Sequence, residues 1–590
     1  MDVDKVSLLD AFCKLDNNKS GVLSKVHLRK ILEQGGLPTK YIEEIFAQGG
    51  WVGDSLPYDE LVDWLCGLEQ RRSPGVDMKP EKLSEVPADE QRQVVIQTLV
   101  LLIAAASWST LGAQNGQIRV TESPSTPDAY LGFCITSASQ GTASDTVAMA
   151  DKLTKQVKEL IASASIELEV LPRQEAVKLL KAGGFPDCAA LASSVASGCE
   201  SVGLHAIDIK GPSGTLRFRT PAVANVTFPT DLQSVPWQLR ADATAGQFCL
   251  AGPTLDLSSL APGDFGRLGP SRSLDSGVAE CNEAASVDGQ TKVALQAEAI
   301  HENSLAEISA RIAEAAQKSA CVVVVAGPSS SGKTTFSSRL ALHIQARGVG
   351  AHPLECDMYY KARLDPTHPR DAKGELNFEV PDALRLDKIK QDLADLTSGK
   401  PVELPKFCFK TGTINEKTGN ILQISSKAVL IIEGIFGLHP KFLSAFQGVS
   451  LFKVLIGPWS GARLGGLHVV PERKLRLLRR IGRDVRSRGV DAARVMHKYT
   501  SVSAGEIASI FPYAGDADVI FDSALHYELP ALRAVIGKDV EAASSSDATV
   551  LSRKKELVNY LSWVQPWSTG SYALLPTSIA CEFLGNSIFE

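Results

Sequence analysis

Two short runs of β-branched residues stand out from an otherwise mixed pattern of polar and apolar positions. Residues 321–326 read CVVVVA and residues 428–432 read AVLII. Neither run alternates, and each is too short for an independent helix, so both predict strands buried on two faces of a parallel sheet. Behind the first run, TFSSRLALHIQAR places Phe336, Leu340 and Ile344 at helical spacing. From about residue 300 to the end, such runs alternate with helical patterns, which predicts an α/β fold: a parallel sheet with helices on both faces. Sheets of that kind place ligands at the carboxyl ends of their strands. Gly327 follows the first run and Glu433 the second.

Upstream the pattern changes three times. Residues 1–70 are helical in pattern with two short loops, which predicts an all-α unit. Residues 71–90, RRSPGVDMKPEKLSEVPADE, mix charge with three prolines and read as a linker. A mixed α+β region is expected over 91–255. Residues 256–299, rich at first in Gly, Ser, Pro and Asp, read as an irregular linker, and 300–590 forms the α/β domain. The most apolar stretch, 94–106 (VVIQTLVLLIAAA), contains Gln97 and Thr98 and is too short to span a bilayer, so it predicts a buried helix. No repeat of 20 to 50 residues is present.

Composition narrows the classes. At 590 residues the chain exceeds one core, and length alone suggests about three or four domains. A hydrophobic content of 44% with 22% charged residues is ordinary for a globular protein, and a net charge of −6 gives no overall attraction to nucleic acid or an anionic membrane. Eleven cysteines without CxxC pairs fit a reducing compartment rather than a disulfide framework. The start, MDVDKVSLLD, has no basic stretch before an apolar core. These features predict a cytoplasmic protein with no membrane partner.

The chemistry begins at Gly327-Pro-Ser-Ser-Ser-Gly332-Lys333-Thr334. The pattern GxxxxGK[ST] needs a strand before it and a helix after it, and both are predicted here. Its backbone N–H groups wrap an anion at a helix N-terminus. Gly327, Ser329, Ser330, Ser331, Gly332, Lys333, Thr334 and Thr335 are therefore the expected nucleotide contacts. Lys333 would reach the β- and γ-phosphates, and the Thr334 hydroxyl would bind Mg²⁺. GTPases, motors and transporters share this loop, so it does not by itself give the reaction. A guanine-specifying NKxD is absent from this half.

The surrounding motifs decide. AGPSSSGKTTFSSRLA resembles the uridine kinase and phosphoribulokinase family, and LPKFCFKTGT (404–413), VLIIEGIFGLHP (429–440), LLRRIGRDVRSRG (477–489) and IFPYAGDADVIFDSALHYEL (510–529) continue the match over roughly 270 residues, to LSWVQPWSTGSYALLPTSIACEFLGNSIF near the end. The likeness is nearest to bacterial-type uridine kinases that carry a threonyl-tRNA-synthetase-like region upstream. It implies ATP as phosphoryl donor, with Asp357 in LECDMYY as general base and Lys333 on the phosphates. Glu433 would join Thr334 in holding Mg²⁺. The 471–488 segment, with eight Lys or Arg against Glu472 and Asp484, would be the lid, with Arg480, Arg483 and Arg488 neutralising the triphosphate. Tyr360 and Phe409 match aromatic positions near a nucleoside, and Glu379 an acidic position that grips sugar hydroxyls. Four departures surround the acceptor and the lid. Cys408 stands where an Asp is usual, Phe436 for a His, Lys474 for an Asp, and Val490 where an arginine often sits.

Segments 151–184 and QTLVLLIAAASW resemble the synthetase-like domain of those fused kinases. The zinc pattern of synthetases is missing its HxxxH, leaving Cys199 and His205, and two ligands do not make a zinc site. No basic, aromatic-interleaved patch supports RNA binding. In residues 1–70, Asp16, Asn18 and Ser20 would supply side-chain oxygens and Val22 its carbonyl in an EF-hand loop, with Leu23 pairing to a partner loop centred on Leu56. His27 takes the place of the bidentate Glu, and Gly49, Trp51 and Gly53 leave the second loop without ligands ahead of Glu60. The pair therefore reads as a degenerate EF-hand with weakened Ca²⁺ affinity, or as a docking module for a protein partner. The resulting expectation is an ATP- and Mg²⁺-dependent kinase acting on a small-molecule hydroxyl, uridine or a related nucleoside first. The alternative is a calcium-linked, nucleotide-holding regulatory protein with little or no turnover. An oligomer is compatible with either.

Overall fold

The structure, a computed structural model, describes residues 73–112, 118–122, 130–135, 142–195, 199–211, 214–241, 247–251, 277–284, 287–318 and 321–589 except 372–373, 426–427, 447 and 568–573. It also describes Val22–Ser24, Ser55–Pro57 and two isolated N-terminal positions. Asp16, Asn18 and Ser20 lie outside the described residues. Val22 opens a strand, Val22–Ser24, that pairs antiparallel with Ser55–Pro57 and sets Leu23 opposite Leu56.

Residues 73–90, expected as a linker, are folded into the protein instead. The Pro74 carbonyl accepts from Gly203 N–H, Gly75 N–H donates to Asn559 Oδ1 at 3.0 Å, and Met78 is buried with its carbonyl on His205 Nε2 at 2.7 Å. The apolar run continues past both of its ends as helix α1 (Ala88–Leu111). Within it, Glu90–Leu111 contains an 18-residue window with a mean hydropathy of 1.9 and is long and apolar enough to cross a membrane, which corrects the expectation drawn from the 94–106 run alone. In this fold it is a core helix, with Val94 to Ala106 buried except at Gln97. Two antiparallel sheets follow. One joins Ile166–Pro172, Ser201–Gly211 and Gly214–Pro221; the other joins Ile118–Glu122, Tyr130–Ile135, Gln247–Ala251 and Gln238–Ala241. The expected irregular stretch is helical where described, over Gly277–Glu283 and in α2 (Val287–Lys318). Val293, Ala294 and Ala297 form a buried stripe there that outweighs the polar composition.

The C-terminal half is built on five parallel strands: β1 (Cys321–Ala326), β2 (Ala351–Glu355), β3 (Val429–Gly434), β4 (Ser450–Gly457) and β5 (Val519–Asp522). Their order in the sheet is β2-β3-β1-β4-β5. Helix α3 (Lys333–Gln345) follows β1. Val323 and Val325 pack on Phe336, Leu340 and Ile308, while Val322 and Val324 pack on Leu354, Ile389 and Phe442. Both faces of β1 are thus covered, as its unbroken apolar run requires. After β4 come α4 (Glu472–Arg488) and α5 (Ala492–Ser509); after β5, α6 (Glu528–Ala542) and α7 (Ala548–Ser562). Leu475, Leu478, Tyr499, Leu532 and Leu557 share one continuous core with Val95, Leu99, Leu153 and Leu204 of the upstream region. The boundary read near residue 300 is therefore not a break in packing.

Candidate active site

The site forms where β1, β2 and β3 end. The 327–332 loop turns out of β1, with Ser330 at φ 61° and Gly332 at φ 90°. The left-handed value at Gly332 is open to glycine without strain, and a Cβ there would stand 2.4 Å from Ile579 Cγ2. Gly332 caps α3 without a side-chain hydrogen bond, and of the first-turn N–H groups that the helix leaves unsatisfied, that of Thr335 donates to Glu582 Oε2 at 3.3 Å. The Lys333 ammonium donates to the Pro328 carbonyl at 3.1 Å. Ser330 and Ser331 are buried, and neither hydroxyl has a hydrogen-bond partner. Buried unpaired donors beside a helix N-terminus suit a phosphate.

From β3, Glu433 reaches across to Thr334, whose Oγ1 donates to Glu433 Oε1 at 2.7 Å. Burial pushes the Glu433 carboxyl up to about 8, helped by the charges of Glu355 and Asp357 and opposed by Lys333 and the Thr334 hydrogen bond. A carboxylate this costly to ionise, paired to a hydroxyl, is an oxygen donor set suited to a hard cation. Asp357 sits just past β2 in the single turn Cys356–Tyr359. Its charge also bears on Tyr360, Glu379 and Arg488.

The acceptor corner is aromatic. Tyr360 packs against Phe378, Phe407 and Phe409 with ring centroids 5.6, 5.9 and 6.2 Å away. Its buried hydroxyl donates to the Phe378 carbonyl at 3.4 Å, and burial holds its pKa well above the ordinary value. Phe409 keeps 37% of its surface exposed, with the Arg488 guanidinium 4.9 Å over its ring. Glu379 is wedged against α5, where a Cβ on Gly505 would lie 2.2 Å from Glu379 Cβ. Burial pushes its carboxyl up to about 7, against the pull of Arg480.

Helix α4 supplies the arginines, and sequence reasoning found only some of them. Arg480 donates to Ser329 Oγ at 2.8 Å, and Arg480, Arg483 and Arg488 all ion-pair with Asp484. Arg476 and Arg479 were missed. Arg476 donates to the Ser329 carbonyl at 3.1 Å and Arg479 to the Ser330 and Ser331 carbonyls at 3.4 and 3.3 Å, so both grip the loop from behind. Arg476 is held by Glu472 and Glu506, Arg479 by Glu528. A signal was available: Arg479 lies four residues after Leu475, on the apolar stripe of the helix.

The four departures resolve differently. Lys474 is buried between Glu90 of α1 and Glu556 of α7, 2.6 Å from each. Against the burial that would raise it, Lys474, Arg473 and Arg553 hold the Glu90 carboxyl at about 2. The lysine is thus the partner of an upstream glutamate. Phe436 joins the core beneath the acceptor corner. Cys408 is exposed, its thiol pulled down by hydrogen bonds from Thr411. Val490 is partly buried against the core that α4 and α5 share with the upstream region.

Comparison with known proteins fits this geometry. The model of the Phosphoribulokinase / Uridine kinase family matches residues 322–529. Uridine kinases of Staphylococcus aureus strains JH9 and Newman are 31% identical over 185 residues, which is 31% of this chain and 78% of theirs. The chain belongs to this family. Its C-terminal half is, by homology, a nucleotide-dependent kinase domain, and the loop, Lys333, Thr334 and Glu433 fall within the matched segment. Among solved structures, one described as a possible uridine kinase from Bacillus stearothermophilus aligns with 37% of this chain and 100% of its own, at 17% identity and a TM-score of 0.25.

Proposed function

We propose that the protein transfers the γ-phosphate of ATP, with Mg²⁺, to a hydroxyl of a small molecule, with uridine or a related nucleoside the first candidate. The observation that carries the reading is the Thr334–Glu433 contact at 2.7 Å. It joins the first turn of α3 to the end of β3, next to Lys333 and within reach of the charge of Asp357. Thr334 and Glu433 would hold the cation, which when bound neutralises phosphate charge. Ser330, Ser331 and the N–H groups of the loop would bind the phosphates, and Lys333 would balance charge on the transferred group. Asp357 would accept the proton of the acceptor hydroxyl. Glu379 would orient the hydroxyls of a sugar, and Phe409, partly exposed beneath Arg488, would contact a planar base. Arg480, Arg483 and Arg488 would stabilise charge developing on the phosphoryl oxygens.

The upstream region resembles a synthetase-like domain, and its role here is read as structural: through Glu90 it holds Lys474 of α4. Residues 1–70 are read as a degenerate EF-hand pair, a reading supported by the register of Leu23 on Leu56.

The test is nucleoside-dependent ADP release with Mg²⁺. Lys333→Ala should lower turnover by about 100- to 1000-fold. Asp357→Asn should keep ATP binding and lose transfer. Turnover that survives Lys333→Ala, or parallel loss of binding and transfer in Asp357→Asn, would remove the corresponding role.

A further inference from the structure

The C-terminal segment places a carboxylate on the nucleotide loop that the proposed reaction does not use. Glu582 Oε2 accepts from Thr335 Oγ1 at 2.9 Å and from Thr335 N–H at 3.3 Å. Thr335 is the third residue of α3, so its N–H is one of the donors the helix cannot satisfy internally. These donors, a first-turn N–H and its hydroxyl, are the pair a phosphate oxygen would take at a helix N-terminus. Glu582 also reaches toward the cleft, since its charge and that of Asp357 add to the burial that raises the Glu355 carboxyl at the end of β2.

The arm that carries Glu582 is firmly seated. Ile579 and Phe583 are fully buried. Ile579 lies against Gly332, Phe583 lies 5.0 Å beneath the Arg479 guanidinium, and its carbonyl would be 2.8 Å from a Cβ at Gly482. Arg486 donates to the Glu582 carbonyl at 3.3 Å. The backbone cannot leave without opening the core beside β1, whereas the Glu582 side chain is only half-buried and can turn.

We infer that Glu582 is an internal competitor for the nucleotide: its carboxylate occupies Thr335 until a phosphate displaces it, and it returns to Thr335 as ADP leaves. The inference rests on the ATP reading of the site. Two anions cannot share one N–H and one hydroxyl without repulsion, so Glu582 weakens ATP and ADP alike and favours release of the product. A carboxylate that served only as a helix cap would do the reverse, because its loss would loosen the loop and weaken nucleotide binding.

The experiment is titration of the full-length protein and of Glu582→Gln with ADP and with Mg-ATP, alongside thermal unfolding without ligand. The amide keeps an acceptor for Thr335 and removes the charge. The expected result is a Kd about tenfold lower for both nucleotides in the variant, with Glu582→Asp, which keeps the charge, close to wild type. An unchanged or higher Kd in Glu582→Gln, while wild type binds, would overturn the inference and leave the ATP reading intact. Binding by neither form would overturn the ATP reading and this inference with it.

Discussion

Arg476 and Arg479 in the first half of α4 have side chains with no exposed surface, while Arg480, Arg483 and Arg488 in the second half keep 16, 18 and 30%. The charge balance differs as well. The first pair meets three carboxylates, Glu472, Glu506 and Glu528; the second trio shares one ion-pair partner, Asp484. Two cations against three anions leave no surplus in the interior. At the cleft three arginines share one directly paired carboxylate, with Glu379 and Asp357 acting on Arg480 and Arg488 from beyond ion-pair contact, and there the phosphates of a nucleotide would add negative charge. One basic helix thus does two jobs. Its buried half ties the loop carbonyls to the core, and its cleft-facing half, with one directly paired carboxylate, is left for a ligand.

The largest effect that separates the halves should be on stability. Arg479→Met would strand Glu528, which is fully buried, and removing one partner of a buried pair costs about 3–5 kcal/mol. Urea unfolding without nucleotide should show that loss, and Arg479→Met with Glu528→Gln should recover part of it. A small loss in the single variant would mean that the burial of Arg479 does not distinguish it from its neighbour.

Arg480 is next. Arg480→Ala removes a cleft-side donor on Ser329 and leaves Asp484 with Arg483 and Arg488. Unfolding free energy should fall by less than in Arg479→Met, because Asp484 keeps two arginines, while kcat for phosphoryl transfer falls about 100-fold. Destabilisation as large as that of Arg479→Met would erase the contrast between the halves.

The same contrast marks where sequence reasoning stops. The phosphate loop was legible because everything it needs is local: a strand, six loop residues and a helix start within 321–345. The Thr334–Glu433 pair was legible because Thr334 completes the loop motif, Glu433 closes a predicted strand, and the family resemblance joins the two. The roles of Arg476 and Arg479 were not, because burial depends on carboxylates 30 and 49 residues away. Glu90 and Lys474 are separated by 384 residues, and Glu582 and Thr335 by 247. A linker reading for 71–90 failed for the same reason: its prolines and charges describe local stiffness, whereas Met78 and Gly75 are fixed by His205 and Asn559.

Acidification gives the smallest and most specific separation. Burial alone would raise the Asp484 carboxyl, but Arg483, Arg480 and Arg488 outweigh it and hold the group below its ordinary 3.8. A carboxylate depressed in the folded state contributes stability that is complete above the unfolded value and is lost as pH falls through the folded one. Glu472, beside Arg476, has the opposite sign. Burial keeps it above its ordinary 4.5 despite its arginine, so its ionisation detracts from stability as pH rises. The stability difference between wild type and Asp484→Asn should therefore be level above pH 3.8 and shrink below it, whereas Glu472→Gln should change the profile above pH 4.5 in the other direction. Parallel pH profiles for the two variants would show that both carboxylates are equally neutralised, and the contrast drawn between the two halves of α4 would have no basis.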